Sequence, residues 1–527
     1  MKTLLKIFFV VPLLLSINLS AGQYETDDVA DIVYDLPVAD QTKLNQDLDA
    51  VPSVVESSAV SVENFRKSYN YLKRIAVLKG EKHKKTLKAA QVFENQKSLF
   101  KNENRELLQW STEVFETASP FYTNDFLGRF QQWINRAVVM TEEDQALNFI
   151  ATENNKLELF TGYANYHNKL LSDIANAKET IHMQMFGWHA DGYGKALAEI
   201  LSERAQKGIK VRLILDKFSA GMSDFMFVTG KPMKEILKTM TDAGVELVMP
   251  SGRGFNRLDH RKLYVIDGKI AWSTGYTISD YMRNDIMDQG TRIQGDLTYQ
   301  MQASFLTTWL YFGGELGEAQ GPKEAMNRFM KNYFKTPDET GSAKVKLLGN
   351  ISGVRLDVTQ DYYEKISKAK KQVIVVNRNF ADARFAKALL QAKKNGAEVI
   401  VVLEEGTTSI FGLYNIYAQK YLNKFKNAGI KTYYFRDKDG KALLHSKIVL
   451  TDDWVSTGSA NFDLFSLFHN AEQNLITQDL SYVQDVRQHL LNDVIQYSHE
   501  YVAPKGIFRK FTLSLKALLF KSYEVIF

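Results

Sequence analysis

The chain has 527 residues, of which 45% are hydrophobic and 24% charged, the composition of a soluble globular protein of two or three domains. These values exclude a largely disordered chain and a multi-span membrane protein. The net charge of +5, from 66 basic and 61 acidic residues, is too evenly balanced to indicate nucleic-acid binding. Because the chain has no cysteine, disulfides, thiolate nucleophiles and zinc–cysteine sites are excluded, and chemistry must come from His, Lys, carboxylates and hydroxyls.

Residues 1–21 have the layout of a secretory signal peptide. Two lysines lie near the start, residues 7–15 are apolar, and the small-residue end Leu19-Ser20-Ala21 precedes Gly22. The apolar stretch is short for a bilayer span, although an uncleaved membrane anchor is the alternative. We therefore expect an exported protein, either periplasmic or secreted, with membrane association left open.

Two flanking regions carry no recognisable chemistry. Residues 22–150 read as an acidic arm followed by a helical accessory region, since large apolar side chains recur there at helical spacing. Residues 501–527 read as a basic amphipathic tail, in which Phe508, Phe511 and Leu515 share one helical face. That tail is compatible either with resting on an anionic membrane or with packing against the body of the protein.

Between these flanks the same succession of elements occurs twice. Strands are predicted at 157–160, 181–185 and 211–215 and again at 345–348, 373–376 and 399–403, with helices between them. In each half a later helix stops at a glycine, Gly244 or Gly429, which lies 16 positions before a histidine. The pattern predicts an α/β protein with two repeated domains, over 151–330 and 331–500.

The histidines begin matched motifs of the form His-x-Lys-x-x-x-x-Asp. The members are His260, Lys262 and Asp267 in the first half and His445, Lys447 and Asp452 in the second. Residues two apart on a strand lie on the same face, so each motif projects an imidazole and an ammonium side by side. That pair suits a phosphate, because the lysine can meet an anionic oxygen while the histidine reaches the phosphorus.

Small-residue turns and a carboxylate follow each motif. Thr277 in the first turn and Ser459 and Asn461 in the second are candidates to hold phosphate oxygens. Asp288 and Glu472 come 28 and 27 positions after the two histidines, and a carboxylate on the far ring nitrogen would fix the imidazole tautomer. One such motif alone is as readily an accident as a site, whereas two with matched surroundings indicate function.

The two motifs, together with Gly458-Ser459-Ala460-Asn461 and the stretch from Asp288 to Gly295, resemble the phospholipase D superfamily. Within it, the resemblance is to bacterial phospholipase D and cardiolipin synthase-like proteins, and it covers about residues 156–493. It implies duplicated phospholipase D-like α-β-α domains that share one active site, with no metal or other cofactor.

The resemblance also implies a role for each site residue. His260 would attack phosphorus to form a phosphohistidine, and His445 would protonate the departing alcohol. Lys262, Lys447 and Asn461 would hold phosphate oxygens, Asp288 and Glu472 would orient the histidines, and Asp267 and Asp452 would be more structural than chemical. Thr277 stands where the family usually has asparagine, which weakens the expected phosphate grip of the first half.

The expected activity is cleavage or exchange of the phosphodiester of a phospholipid. Three alternatives remain: a cardiolipin synthase proper, an exported nuclease of the same superfamily, and an inactive lipid-binding protein. Phospholipid is the expected partner, the tail offers a peripheral membrane contact, and a monomer is expected.

Overall fold

The computed structural model describes residues 151–220, 232–250, 258–283, 286–316, 332–351, 355–405, 412–441, 443–463 and 465–503, together with residues 87, 88 and 91. The predicted signal peptide, the acidic arm, nearly all of the helical accessory region and the tail beyond residue 503 lie outside the described residues. Among the helices of the described ranges, none has both the length and the hydropathy needed to cross a membrane.

The first half alternates strands and helices before it reaches the first motif. Its strands are β1 (Thr152–Thr161), β2 (Thr180–Met185), β3 (Lys210–Leu215), β4 (Glu246–Val248), β5 (Leu263–Ile266), β6 (Ile270–Thr274) and β7 (Gln289–Gln294). Its helices are α1 (Tyr163–Ala175), α2 (Gly192–Gln206), α3 (Pro232–Asp242), α4 (Asp280–Arg283) and α5 (Leu297–Tyr311).

The second half repeats this order. Its strands are β8 (Ala343–Ile351), β9 (Arg355–Leu356), β10 (Gln372–Asn377), β11 (Glu398–Leu403), β12 (Lys431–Tyr434), β13 (Lys447–Thr451), β14 (Trp454–Gly458), β15 (Glu472–Thr477) and β16 (His499–Glu500). Its helices are α6 (Asp357–Lys368), α7 (Ala383–Lys394), α8 (Gly412–Asn427) and α9 (Leu480–His489), with π-helical turns at Phe465–His469 and Leu490–Ile495.

The strand order of the sheet displays the duplication directly. From one edge the order is β16-β12-β11-β10-β13-β14-β15-β8-β1-β7-β6-β5-β2-β3-β4. Apart from β16, equivalent strands of the two halves therefore follow in the same order from each edge towards the centre. Strands β2, β3 and β4 are parallel, as are β10, β11 and β12, and each motif strand pairs antiparallel with the first of its set. The predicted α/β class and internal repeat are therefore confirmed, and β1 pairs with β8 to join the halves.

Helices cover both faces of this sheet, which explains why strands such as β10 and β11 carry apolar side chains on both faces. Along β10, Ile374 and Val376 pack into a core shared by the two halves, whereas Val373 and Val375 pack into a core of the second half alone. A third core belongs to the first half. A strand buried on both faces needs apolar side chains at every position, as the run at 373–376 has.

The last acid of each motif lies at the far end of its strand from the histidine. Asp267 and Asp452 adopt positive φ angles of 52° and 37° in tight turns. The Asp267 carboxylate accepts the backbone N–H groups of residues 178–180 at 2.8, 2.7 and 2.9 Å. The Asp452 carboxylate accepts those of residues 370–372 at 3.2, 2.8 and 2.9 Å, and these bonds lower its pKa although burial acts to raise it. Each acid thus anchors the start of the neighbouring strand.

Replacing Asp452 with alanine is expected to lower the free energy of unfolding by about 2 kcal/mol. Three backbone donors would lose a charged acceptor, and alanine would have to occupy a left-handed backbone conformation. Denaturant unfolding measures the change. Asp453, which is exposed in the same turn, is the matched control, and its alanine variant should stay within about 0.5 kcal/mol of the parent. Equal losses in the two variants would contradict the anchoring role.

Candidate active site

The two motif segments meet where the halves of the molecule join. The backbone N–H of His260 donates to the carbonyl oxygen of Ala471 at 2.9 Å, and that of His445 donates to the carbonyl oxygen of Met287 at 2.8 Å. Ala471 and Met287 each immediately precede a carboxylate in the sequence. This backbone pairing therefore brings the acid of one half beside the histidine of the other.

The side chains pair in the same crossed manner. The Nδ1 atom of His260 lies 3.0 Å from the Glu472 carboxylate, and Nδ1 of His445 lies 2.6 Å from Oδ2 of Asp288. Both carboxylates are fully buried. With Nδ1–H donated to a carboxylate, a neutral imidazole carries its lone pair on Nε2, the nitrogen available for attack or for proton transfer.

A buried lysine accompanies each histidine. The Nζ atom of Lys262 donates to the carbonyl oxygen of His260 at 2.8 Å, and Nζ of Lys447 donates to that of His445. Burial lowers the pKa of Lys262 to about 8 and the pKa of Lys447 to about 7. In Lys447 the ammonium of Lys262 contributes to this lowering, so charges from the two halves act on each other within one site.

The histidines are also shifted towards their neutral forms. Burial lowers the pKa of His260, and the ammonium groups of Lys262 and Lys447 add to this, while Glu472 opposes it. Burial holds the pKa of His445 well below its ordinary value, helped by Lys447 and Arg378. A neutral His260 suits a nucleophile. His445 would become an acid only when an added negative charge, such as a bound phosphate, offsets the surrounding cations.

The pKa of Asp288 is shifted by the same buried charges. Burial raises the pKa of Asp288 to about 7, against the influence of Lys447 and the backbone N–H of Gln289. Its carboxylate and the ring of His445 are in hydrogen-bond contact and therefore titrate as a coupled pair. A negative charge placed beside the pair would favour a proton on the ring of His445.

The turns after the motifs place the three predicted phosphate ligands differently. The hydroxyl of Ser459 donates to the Glu472 carboxylate, so this group supports the partner of His260. The Oδ1 atom of Asn461 is buried and makes no hydrogen bond to the residues that the structure describes. Residues 278 and 462 form matching bridges in the two halves, which puts Thr277 at the position equivalent to Asn461.

Gly275, which the sequence did not single out, lies against Asp288. Its N–H donates to the carbonyl oxygen of Gln289 at 3.1 Å, the bond that Ser459 makes to Gln473 in the other half. A Cβ atom at residue 275 would come 2.1 Å from Oδ1 of Asp288. The Asp288 carboxylate therefore packs against the backbone of Gly275, whereas the Glu472 carboxylate, on a longer side chain, accepts a hydrogen bond from the Ser459 hydroxyl.

Replacing Gly275 with alanine is expected to lower kcat/KM by about 10²-fold, because the methyl group must displace the carboxylate that orients His445. Steady-state kinetics with a phospholipid substrate measures the loss. The matched control is Ser459→Ala at the equivalent position, which removes the hydroxyl that donates to Glu472 and accepts from the backbone N–H of Gln473 without adding an atom, and should cost about tenfold or less. A Gly275→Ala enzyme as active as the control would show that Asp288 does not need its observed position.

The depressed lysine pKa values predict that activity falls on the alkaline side. Each lysine must be protonated to hold an anionic oxygen, and the pKa values of about 8 and about 7 mean that the charge is lost well below the ordinary 10.5. We expect kcat/KM, which reports the free enzyme, to decline as the pH rises above about 7. The alkaline decline of kcat should lie at higher pH than that of kcat/KM, because bound phosphate favours the charged form of each lysine. A kcat/KM that stays level to pH 10 would contradict this assignment.

The fold and the site together define a class: a duplicated α/β protein in which two His–Lys pairs, one from each half, share a buried site with two crossed carboxylates. Residues 170–309 and 362–494, more than half of the chain, match the profile of the family described as "Cardiolipin synthase, PLD-like domain". The chain belongs to this family and thus to the phospholipase D superfamily, as its sequence motifs predict.

Individual relatives agree with this placement. Cardiolipin synthase 1 of Staphylococcus epidermidis is 26% identical over 432 residues, which cover 78% of this chain and 80% of that protein. Cardiolipin synthase B of Escherichia coli K12 is 27% identical over 377 residues, covering 70% of this chain and 88% of that protein. Among solved structures, the phosphatidylserine synthase of Haemophilus influenzae Rd KW20 aligns with a TM-score of 0.55 at 16% identity, over 72% of this chain and 95% of that one, a likeness of fold.

Proposed function

We propose that this protein is a phospholipase D-type enzyme that transfers the phosphatidyl group of a phospholipid to an alcohol or to water. The observation that carries the proposal is the crossed arrangement, in which each histidine is buried beside a lysine and has Nδ1 on a buried carboxylate of the other half. Two imidazoles held in this way can act in turn on one phosphorus. The cardiolipin synthases among its relatives support a phospholipid substrate.

The first step forms a phosphohistidine on His260. The Nε2 lone pair of His260 attacks phosphorus, the bond from phosphorus to the head-group oxygen breaks, and His445 in its imidazolium form gives that oxygen its Nε2 proton. Lys262 and Lys447 stabilise the charge that builds on the non-bridging oxygens. The carboxylate of Glu472 favours the positive charge that develops on the ring of His260.

The second step releases the enzyme. The oxygen of water or of an acceptor alcohol attacks phosphorus, its proton passes to Nε2 of His445, and the bond between phosphorus and His260 breaks. Hydrolysis and transfer differ only in which hydroxyl compound attacks, so the same residues serve both. The phosphatidyl transfer that the relatives' names imply favours an alcohol acceptor, with water in competition.

A substrate panel tests this function. Purified protein is incubated with phosphatidylglycerol, phosphatidylcholine and single-stranded DNA, each with EDTA present. The proposal predicts turnover of phospholipid, undiminished by the chelator, and no cleavage of DNA. Cleavage of DNA alone would favour the nuclease alternative, and the absence of any turnover would favour an inactive lipid-binding protein.

A further inference from the structure

The two halves of the site differ at one matched position. Strand β2 ends at Met185 and β10 ends at Asn377, and the next residues are Phe186 and Arg378. The pairing registers of the two strands with their motif strands, Gln184 with Leu263 and Val376 with Ile448, show that these positions are equivalent. A phenylalanine in one half therefore stands where the other half has an arginine.

The apolar member of this pair lies against the first motif. The ring centre of Phe186 is 4.6 Å from that of His260, and Nζ of Lys262 is 5.2 Å from the centre of the Phe186 ring. The position that follows the strand thus borders both motif side chains of its own half. The repeat places Arg378 in the corresponding relation to His445 and Lys447.

Arg378 is held in place by an acid that is tied to the motif. Its Nε lies 3.0 Å from the carboxylate of Glu404, which follows β11 and whose side chain is only 3% exposed. The backbone N–H of Leu444, next to His445, also donates to Glu404. The side chain of Arg378 remains 18% exposed, so the ion pair does not enclose it completely.

The charge of Arg378 acts on titratable groups of both halves of the site. The positive charge of Arg378 contributes to lowering the pKa of His445 and of Lys447, with burial the larger cause in each. It also acts on Tyr281, a half-exposed side chain of the first half. Arg378 therefore lies where the two halves face each other, on the His445 side.

We propose that Arg378 is a specificity-determining residue that selects alcohols bearing a negative charge. This inference rests on the proposed function, in which His445 exchanges a proton with the departing or attacking alcohol. The alcohol then lies on the Arg378 side of phosphorus, and the phosphatidyl group lies on the Phe186 side. A phosphate on the alcohol would meet an oriented guanidinium, whereas an ammonium-bearing alcohol would be repelled.

Competition between two acceptors that differ by one phosphate group tests the proposal. Full-length enzyme is given phosphatidylglycerol in detergent micelles with radiolabelled glycerol and glycerol 3-phosphate, and kcat/KM is measured for transfer to each. The parent enzyme should prefer glycerol 3-phosphate. Arg378→Gln should reduce the ratio of the two kcat/KM values by about tenfold, because the guanidinium acts on His445 equally with either acceptor but binds only the charged one. Arg378→Lys should retain part of the preference.

The control removes a neighbouring charge of the same kind. Arg436 pairs with Glu405, one residue beyond Glu404, and Arg436→Gln should leave the preference unchanged. Three results would overturn the inference: a parent enzyme without preference, an Arg378→Gln enzyme that loses both rates equally, or turnover of lipid without transfer to either acceptor. An enzyme that turns over no phospholipid would overturn the proposed function itself, and the inference with it.

Discussion

Replacing either motif histidine with alanine is expected to lower phospholipid turnover by at least about 10²-fold. His260→Ala removes the nucleophile and should lower kcat by about 10⁴-fold or more, whereas His445→Ala removes the acid and should lower it by about 10²–10⁴-fold. The double variant should be little worse than His260→Ala, because the two rings act on the same bond. Steady-state assays with phosphatidylglycerol measure these losses.

The leaving group separates the two roles. A phosphatidyl ester of p-nitrophenol needs little protonation as it departs, so His445→Ala should still release a burst of p-nitrophenolate and accumulate the phosphohistidine. His260→Ala should show no burst with the same ester. His499, which is exposed and distant in sequence from both motifs, serves as the control, and its alanine variant should retain full activity. Substantial turnover of a natural phospholipid by either motif variant would contradict the two-histidine mechanism.

The second large effect concerns the crossed carboxylates. Glu472→Gln should lower kcat by about 10³–10⁴-fold because the amide no longer favours the reactive tautomer and charge of His260. Asp288→Asn should act in the same way on His445. Since His445 is dispensable for a good leaving group, Asp288→Asn should recover most of its burst with the p-nitrophenyl ester, whereas Glu472→Gln should not.

Pairing within each half would give the reverse result. If Glu472 oriented His445 and Asp288 oriented His260, then Glu472→Gln would be the variant rescued by the p-nitrophenyl ester. The amide variants are suited to this test because they preserve the volume of the buried carboxyl groups. An unfolding midpoint equal to that of the parent is the control for each.

Much of this architecture follows from local sequence patterns. The apolar run at 373–376 predicts a strand buried on both faces, and β10 is such a strand. Gly244 and Gly429 predict helix ends, and both adopt positive φ just after α3 and α8. These features depend on spacing along the chain, and the duplication presents each of them twice, which strengthens the prediction.

Other features depend on contacts between distant segments. Spacing along the chain pairs each histidine with the acid of its own half. The parallel backbone bridges of Asp259 with Ala471 and of Met287 with Leu444 instead bring each histidine beside the acid of the other half. The contact of Gly275 with Asp288 is equally invisible in sequence, because a glycine in a turn usually serves the backbone. The sequence motif predicts that Ser459 holds a phosphate oxygen. In the structure, the register of β14 with β15 directs its hydroxyl to Glu472 instead.

The equivalence of Phe186 and Arg378 depends on the strand register of the two halves, which the sequence does not display. Neither residue belongs to a motif, and each follows an ordinary buried strand. A duplicated protein can keep its catalytic residues matched while the surrounding positions diverge, and the diverged positions are where the two ends of a substrate can be told apart.

A crystal structure of the full-length protein with vanadate bound is the most direct test of the shared site. We predict one vanadium bonded to Nε2 of His260, with an apical oxygen within hydrogen-bond distance of Nε2 of His445 and equatorial oxygens on Lys262 and Lys447. Vanadate bound elsewhere, or bound to one histidine while the other ring points away from it, would contradict the account.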